Sequence, residues 1–372
     1  MPRKYSIFIR PNLQILLGPL SLNPVRMKVY LRLGYLLLAL FSVFTPAAAQ
    51  YEAALPACNY LHFNHLKDNV DIANMVANHI YEDRDGFIWL STETGLCRFD
   101  GNRFEYFNNE SASTGLRLTD TSVFCQDRQG HIWVGCQQTL SRLDYHKDRF
   151  TNVAYTVAGG KPLGTITALT LSDNTLWVGT NAGLFQGRTD GAIELHPLQA
   201  EGIDQSAPLE VTCLLAVTPD ELWIGTRRRG LFKARIRSGA DQLLTPIQVA
   251  GWMPDEMIDL VRYDDRHLLA VTPHELALID TELNHRTLLR SPHITSASVT
   301  STGEIWCSTF GEGLFYFEHA AAHMKHYQYD DLDNSTFNHI NGTFVDSKDN
   351  FWILPEKLGV RWLSHRSRSI TN

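Results

Sequence analysis

The sequence predicts an all-β protein, a seven-bladed β-propeller, on three observations. A tryptophan motif recurs at near-constant spacing, each copy reads as four short strands, and seven copies suffice to close a ring. The motif is clearest at Phe87-Ile88-Trp89-Leu90-Ser91-Thr92-Glu93-Thr94-Gly95-Leu96-Cys97-Arg98-Phe99-Asp100-Gly101. Its Trp returns at Trp133, Trp177, Trp223, Trp306 and Trp352, at intervals of 44, 44, 46, 83 and 46 residues. The 83-residue interval spans two units and holds a degenerate copy, His267 to Thr272, with Leu269 in the Trp position. A unit of about 40–50 residues is the size of one propeller blade, and propellers carry about four to eight blades.

Each unit reads in the same order. An apolar run such as Val76 to Tyr81 meets an Asp/Gly turn, and the Ile-Trp strand follows. A Thr-x-x-Gly turn leads into Gly-Leu-x-x-Phe-Asp, and an aromatic run such as Phe104 to Phe107 closes the unit. Short β-rich runs bounded by Gly, Asn and Asp are the hairpin signature. The blades are expected as four-stranded antiparallel sheets at 67–108, 109–152, 153–196, 197–244, 245–286, 287–326 and 327–366. A four-stranded sheet cannot bury both faces alone, so each Trp is expected to pack between its own blade and the next. The fifth unit is the weakest match, and Trp252 lies outside its register. The seventh unit stops soon after Val360-Arg361-Trp362-Leu363. Tyr60 to Leu66 is therefore expected to supply a strand that closes the last blade and covers its edge.

Composition narrows the function. The formal net charge is −7, and after residue 49 the chain has 27 Lys+Arg against 40 Asp+Glu, a net of −13. An acidic surface argues against nucleic acid as a partner. Six cysteines (58, 97, 125, 136, 213 and 307) share no repeat offset and form no C-x-x-C, so they read mainly as small core residues rather than a metal or redox set. Residues 1–49 read as a leader. Within it Met27 to Ala49 has a basic start (Lys28, Arg32), an apolar run from Leu33 to Phe44, and Ala47-Ala48-Ala49 before Gln50, the pattern of a cleaved signal peptide. The apolar run is short of the about 20 residues that span a bilayer. The propeller domain is thus 50–372, exported to the periplasm or beyond. The alternative is an uncleaved leader that anchors it to the inner membrane.

The run "NMVANHIYEDRDGFIWLSTETGLCRFDGNRFEYF" at Asn74 to Phe107, preceded by "HFNHLKDN", resembles the two-component regulator propeller repeat, found in the sensor region of bacterial hybrid two-component kinases. The resemblance covers about residues 60–363, specific in blades one to four and six and loose in five and seven. It implies a periplasmic sensor, of a kind often associated with carbohydrate utilisation. In full-length relatives the propellers are followed by an immunoglobulin-like domain, a membrane helix and a histidine kinase. None of these follows here, so the chain is expected to be a fragment, a truncated gene or a stand-alone propeller. A ligand or glycan, a kinase or sensor protein, or a second copy are the partners this implies.

No chemistry of its own is legible. There is no phosphate loop, no Gly-x-Ser-x-Gly elbow and no His spacing suited to a metal. His274-Glu275-Leu276 echoes a phosphoacceptor box but falls in a turn and strand of blade five. The acid pairs Glu82/Asp83, Asp264/Asp265 and Asp330/Asp331 fall in turns, where carboxylates bond backbone amides. The chain therefore reads as a non-catalytic module without cofactor or metal; the alternatives are a propeller-scaffold lyase or glycan-active enzyme, and a structural or adhesive propeller.

Strand parity places the turn after each second strand at the same end as the connection into each first strand. The expected binding mouth is then ringed by Glu93, Gln137, Gln138, Asn181, Arg227, Arg228, Arg229, His274, Glu312, Glu356 and Lys357. The Arg227-Arg228-Arg229 run is its one conspicuous feature. Guanidinium groups bind carboxylates, sulfates and phosphates bidentately, and an arginine run can equally be a solvated loop.

Overall fold

The computed structural model describes residues 61, 63, 76–92, 95–107, 122–144, 149–202, 208–218, 220–236, 243–320, 323–328, 338–357 and 359–365. The expected leader lies outside the described residues, as do Cys58, Asp330 and Asp331.

Seven sheets follow one another in chain order, the seven blades of the propeller. Their first strands are Ala77–Glu82, Ser122–Gln126, Ile166–Ser172, Val211–Thr218, Asp259–Arg262, Ile294–Val299 and Ile340–Val345. Each pairs antiparallel with the Trp-bearing strand of its own blade, as Tyr81 pairs with Trp89 and Cys125 with Trp133. Blades one, two, five and six are four-stranded as expected. Blades three and four carry a fifth strand, Tyr155–Val157 and Gln199–Ala200, added parallel to the outer strand. The uniform four-stranded expectation missed these because the connecting segments carry no alternation long enough to signal a strand. Three strands of blade seven are described. From the N-terminal segment, Leu61 and Phe63 pack against its core with Phe351 and Leu363, and the Phe63 and Phe351 rings lie 6.2 Å apart. The remainder of the expected closing strand lies outside the described residues.

The tryptophans explain why seven blades hold together. Trp89 packs with Ile132, Val134 and Phe150 of blade two. Trp133 packs with Ile166 and Val178 of blade three, and Trp177 with Val211 and Phe232 of blade four. Trp223 meets Met257 and Leu268 of blade five. Leu269 takes the same place against Ile294 and Phe315 of blade six. Trp306 packs on Phe351 of blade seven, and Trp352 on Ile88 and Leu90 of blade one. The seventh contact returns to the first blade, so the ring closes on one repeated side chain.

Two further features of the repeat acquire a physical reason. The glycine two residues after Trp lets the next first strand approach. A Cβ there would lie 2.7 Å from Ile166 Cγ2 at Gly135, 2.5 Å from Val211 Cγ1 at Gly179, and 2.9 Å from Met257 Cβ at Gly225. The aspartate six residues before Trp is a strap. Asp83 accepts the Asp85 and Phe87 amides at 3.0 Å each and Trp89 Nε1 at 2.7 Å. Asp127 and Asp346 accept Trp133 and Trp352 Nε1 at 3.0 and 2.9 Å. Burial works against the Asp127 carboxylate, but bonds from Trp133 and His131 outweigh it and hold its pKa below the ordinary range. Blades three and six have Leu171 and Thr300 at this position. There the Trp177 and Trp306 indole nitrogens are buried without a partner among the described residues. Asp264 caps its turn through the Arg266 and His267 amides, as read from sequence.

The five described cysteines are buried and outside any disulfide. Burial raises the Cys97 thiol pKa to about 12. Between blades seven and one, Ser347 donates its amide to Glu82 Oε2 at 2.6 Å and its hydroxyl to Oε1 at 2.7 Å.

Replacing Asp83 with Ala strands the Trp89 indole and two turn amides. The cost is expected at about 1–3 kcal/mol, the usual range for an unsatisfied buried donor, read as a lower urea midpoint. Trp177→Phe breaks no such strap, so its loss should reflect packing alone; an equal response of Trp89→Phe and Trp177→Phe would count against the strap.

Candidate functional site

Among the described residues, backbone bonds tie turns after second strands to the chain at the start of first strands. Ile166 N donates to Gln137 O at 2.7 Å, Asn181 N to Thr165 O at 3.1 Å, and Arg227 N to Glu210 O at 2.8 Å. Ile294 N donates to Pro273 O at 2.9 Å and Glu356 N to His339 O at 3.0 Å. Each turn thus bonds to chain leading into a first strand. The Thr that ends the second strand shapes the turn from within: Thr92 and Thr180 Oγ1 donate to the carbonyls of Gly95 and Gly183, three residues on, at 2.9 and 3.0 Å, and Thr309 Oγ1 to that of Gly313, four residues on, at 3.0 Å.

The expected site residues divide by what already occupies them. Glu93 lies outside the described residues. Asn181 Oδ1 accepts the Thr165 amide at 2.8 Å, and Glu312 accepts the Ser291 hydroxyl, so both brace the loops. Gln137 and Arg228 hold positive φ of 48° and 69°, which makes them turn residues first. Gln137, Gln138, His274 and Lys357 are exposed, and Glu356 is half-buried.

The arginine run is partly neutralised. Arg227 Nε bonds Glu256 Oε1 at 2.8 Å, with Glu210 Oε2 3.7 Å from its Nη1. Arg228 is exposed and Arg229 half-buried, and neither has an ion pair among the described residues. The run brings two uncommitted guanidinium groups to the mouth, not three. Beside it lies a depression of about 360 Å³ that includes Trp252, Met253, Asp255, His274 and Arg290. Trp252 Nε1 donates to Glu275 Oε2 at 3.1 Å, while Met253 is 94% exposed. The register break noted at Trp252 was the only sequence signal for this depression.

A central channel of about 500 Å³ is lined by the first strands of all seven blades. Much of its wall is hydroxyl and amide: Asn78, Thr167, Thr212, Ser298, Asn341 and Thr343. Its ionisable members include Asp259 and His79. Enclosure by protein pushes the Asp259 carboxyl up to about 6, offset in part by a 2.8 Å bond from the Leu260 amide, and lowers His79. Both side chains still reach the channel space, Asp259 half-buried and His79 exposed. Sequence reasoning passed over Asp259, although an acid inside Met257-Ile258-Asp259-Leu260-Val261 is a visible anomaly in an apolar strand. Among the described residues no three His, Cys, Asp or Glu side chains converge to hold a metal ion.

Comparison with known proteins bears on these features in two ways. A family model described as the two-component regulator propeller matches residues 71–94, the first Asp-turn and Trp strand. Residues 71–94 thus carry the two-component regulator propeller repeat. Outside that stretch the likeness to known proteins is one of fold alone. The extracellular domain of a putative hybrid two component system from B. thetaiotaomicron superposes at TM-score 0.64 and 17% identity, over 82% of this chain and 40% of that one. A second such domain from the same organism gives 0.63 and 19%, over 81% and 41%. The chain therefore spans about 40% of the length of those domains. Virginiamycin B lyase from Staphylococcus aureus matches at TM-score 0.60 and 12% identity, over 82% of this chain and 99% of that one. At such identities the likeness is one of fold. No curated protein matches the sequence.

Because the folded carboxyl of Asp259 titrates near 6 and the unfolded one near the ordinary 3.8, the folded state binds more protons between those values. Stability from this group is present below about pH 4 and lost as pH rises toward 6. Asp259→Asn should therefore gain on the wild type in urea midpoint at pH 8 and lose that advantage at pH 4. A pH-independent difference would contradict the assignment.

Proposed function

We propose that this propeller is a non-catalytic, exported sensing module of a two-component signalling system, binding a small molecule or glycan at the mouth formed by the turns after the second strands. The observation that carries the reading is the regulator propeller match at 71–94, joined to a fold shared with extracellular sensor domains. The leader motif at Met27 to Ala49 supports export. Among the described residues no helix is long and apolar enough to cross a membrane. Mouth loops on a rigid ring suit recognition, because the scaffold holds their ends while their side chains vary. Partners downstream would be a kinase or sensor protein, or a second copy of the chain. Carbohydrates, the class that the resemblance to the regulator propeller repeat implies, are the first ligands to screen.

The lyase likeness makes turnover the competing reading, and one experiment separates the two. The purified propeller is screened by thermal shift against mono- and oligosaccharides, and each hit is followed by mass spectrometry. A raised Tm with unchanged ligand mass supports a sensor; a new product mass overturns the non-catalytic reading. Replacing Arg227, Arg228 and Arg229 together by Ala should abolish binding of any anionic hit. The Tm should move little, since the exposed Arg227 pairs are worth about 0–1 kcal/mol. Intact anion binding by the triple variant would remove the arginines from the site.

A further inference from the structure

The channel holds a carboxylate with no counter-charge. No Lys or Arg lines it, and Asp259 forms no ion pair among the described residues. The other titratable groups in the wall supply no positive charge at neutral pH. Enclosure lowers the pKa of His79, raises that of Tyr81 to about 12, and raises that of the Cys213 thiol.

Strand register fixes the level of Asp259. It pairs with Val271, two residues after the Trp position of its blade, as His79 pairs with Ser91 and Ser296 with Ser308. The same step in blades two, three, four and seven is occupied by Val123, Ala168, Cys213 and Gly342. One level of the ring thus carries a single acid, in blade five. The channel wall also carries hydroxyl oxygens: Ser296 Oγ, at the same level in blade six, lies 3.2 Å from Thr343 Oγ1, and Thr167 and Ser298 line the same space.

An ionised carboxylate enclosed by protein without a partner is costly, and a cation entering from the channel offsets that cost. A divalent metal would need several anionic or carbonyl ligands, and one acid does not provide them. An ammonium group brings three N–H donors, matched by one carboxylate and nearby hydroxyl oxygens. A space of about 500 Å³ is within the usual range for small-molecule sites.

We propose that the central channel is a binding site for a small organic cation bearing a primary ammonium group, with Asp259 as its counter-charge. The site is separate from the mouth turns and does not depend on whether the propeller signals.

The test uses putrescine as the probe and butane-1,4-diol as its neutral isostere, in calorimetry and thermal shift on the purified chain. Putrescine should bind and raise the Tm at pH 7.5, and the diol should do neither. Affinity should fall about tenfold at pH 5, where a carboxyl of pKa about 6 is mostly protonated. Asp259→Asn should lose the putrescine response while Arg228→Ala, at the mouth, keeps it. The proposal is overturned if the diol binds as well as putrescine, if binding is unchanged at pH 5, or if calcium chloride alone shifts the Tm. The first two readouts need no variant and hold even if Asp259→Asn folds poorly.

Discussion

The whole molecule depends on one contact made seven times: a large apolar side chain from the second strand of each blade buried in the core shared with the next. Six of the seven are tryptophan, and Trp89, Trp133 and Trp177 are almost wholly removed from solvent. A twisted four-stranded sheet leaves apolar faces uncovered, and only a neighbour of the same shape covers them. Closure follows when Trp352 packs on Ile88 and Leu90 of blade one, so that blade seven also shares a core with a neighbour.

The seven copies are not equal. Blades one, two and seven add an aspartate strap to the indole, and they are consecutive around the ring because seven adjoins one. Blade five lacks both Trp and strap, and Leu269 fills its place through packing alone. It is also the blade whose first strand carries Asp259 and whose approach loop carries Trp252 and Met253. Departures from the repeat therefore collect where the fold is least dependent on it. This is the pattern expected when a scaffold position is released for another use.

A rigid ring also separates two kinds of surface. The mouth turns bear side chains that reach solvent, while their backbones are held by bonds to adjoining connections and by the Thr hydroxyls. The channel wall is made of first strands whose positions are set by every blade at once. A group on the wall is consequently better fixed than one on a turn, and its environment is the sum of seven strands. That is why Asp259 has a perturbed carboxyl and the mouth acids Glu256 and Glu312 are engaged in ordinary local pairs.

The sequence by itself determined the blade number, the order of strands and the packing role of the tryptophans. Those properties repeat with a period, and a period is readable in one dimension. The tertiary structure alone decided which of the turn residues are already committed, as Asn181 and Glu312 are to their loops, and which remain uncommitted, as Arg228 is. It also decided that Asp259 faces a channel common to all seven blades. That channel exists only once residues more than two hundred positions apart are brought to one level, and no local pattern in the chain encodes such a convergence.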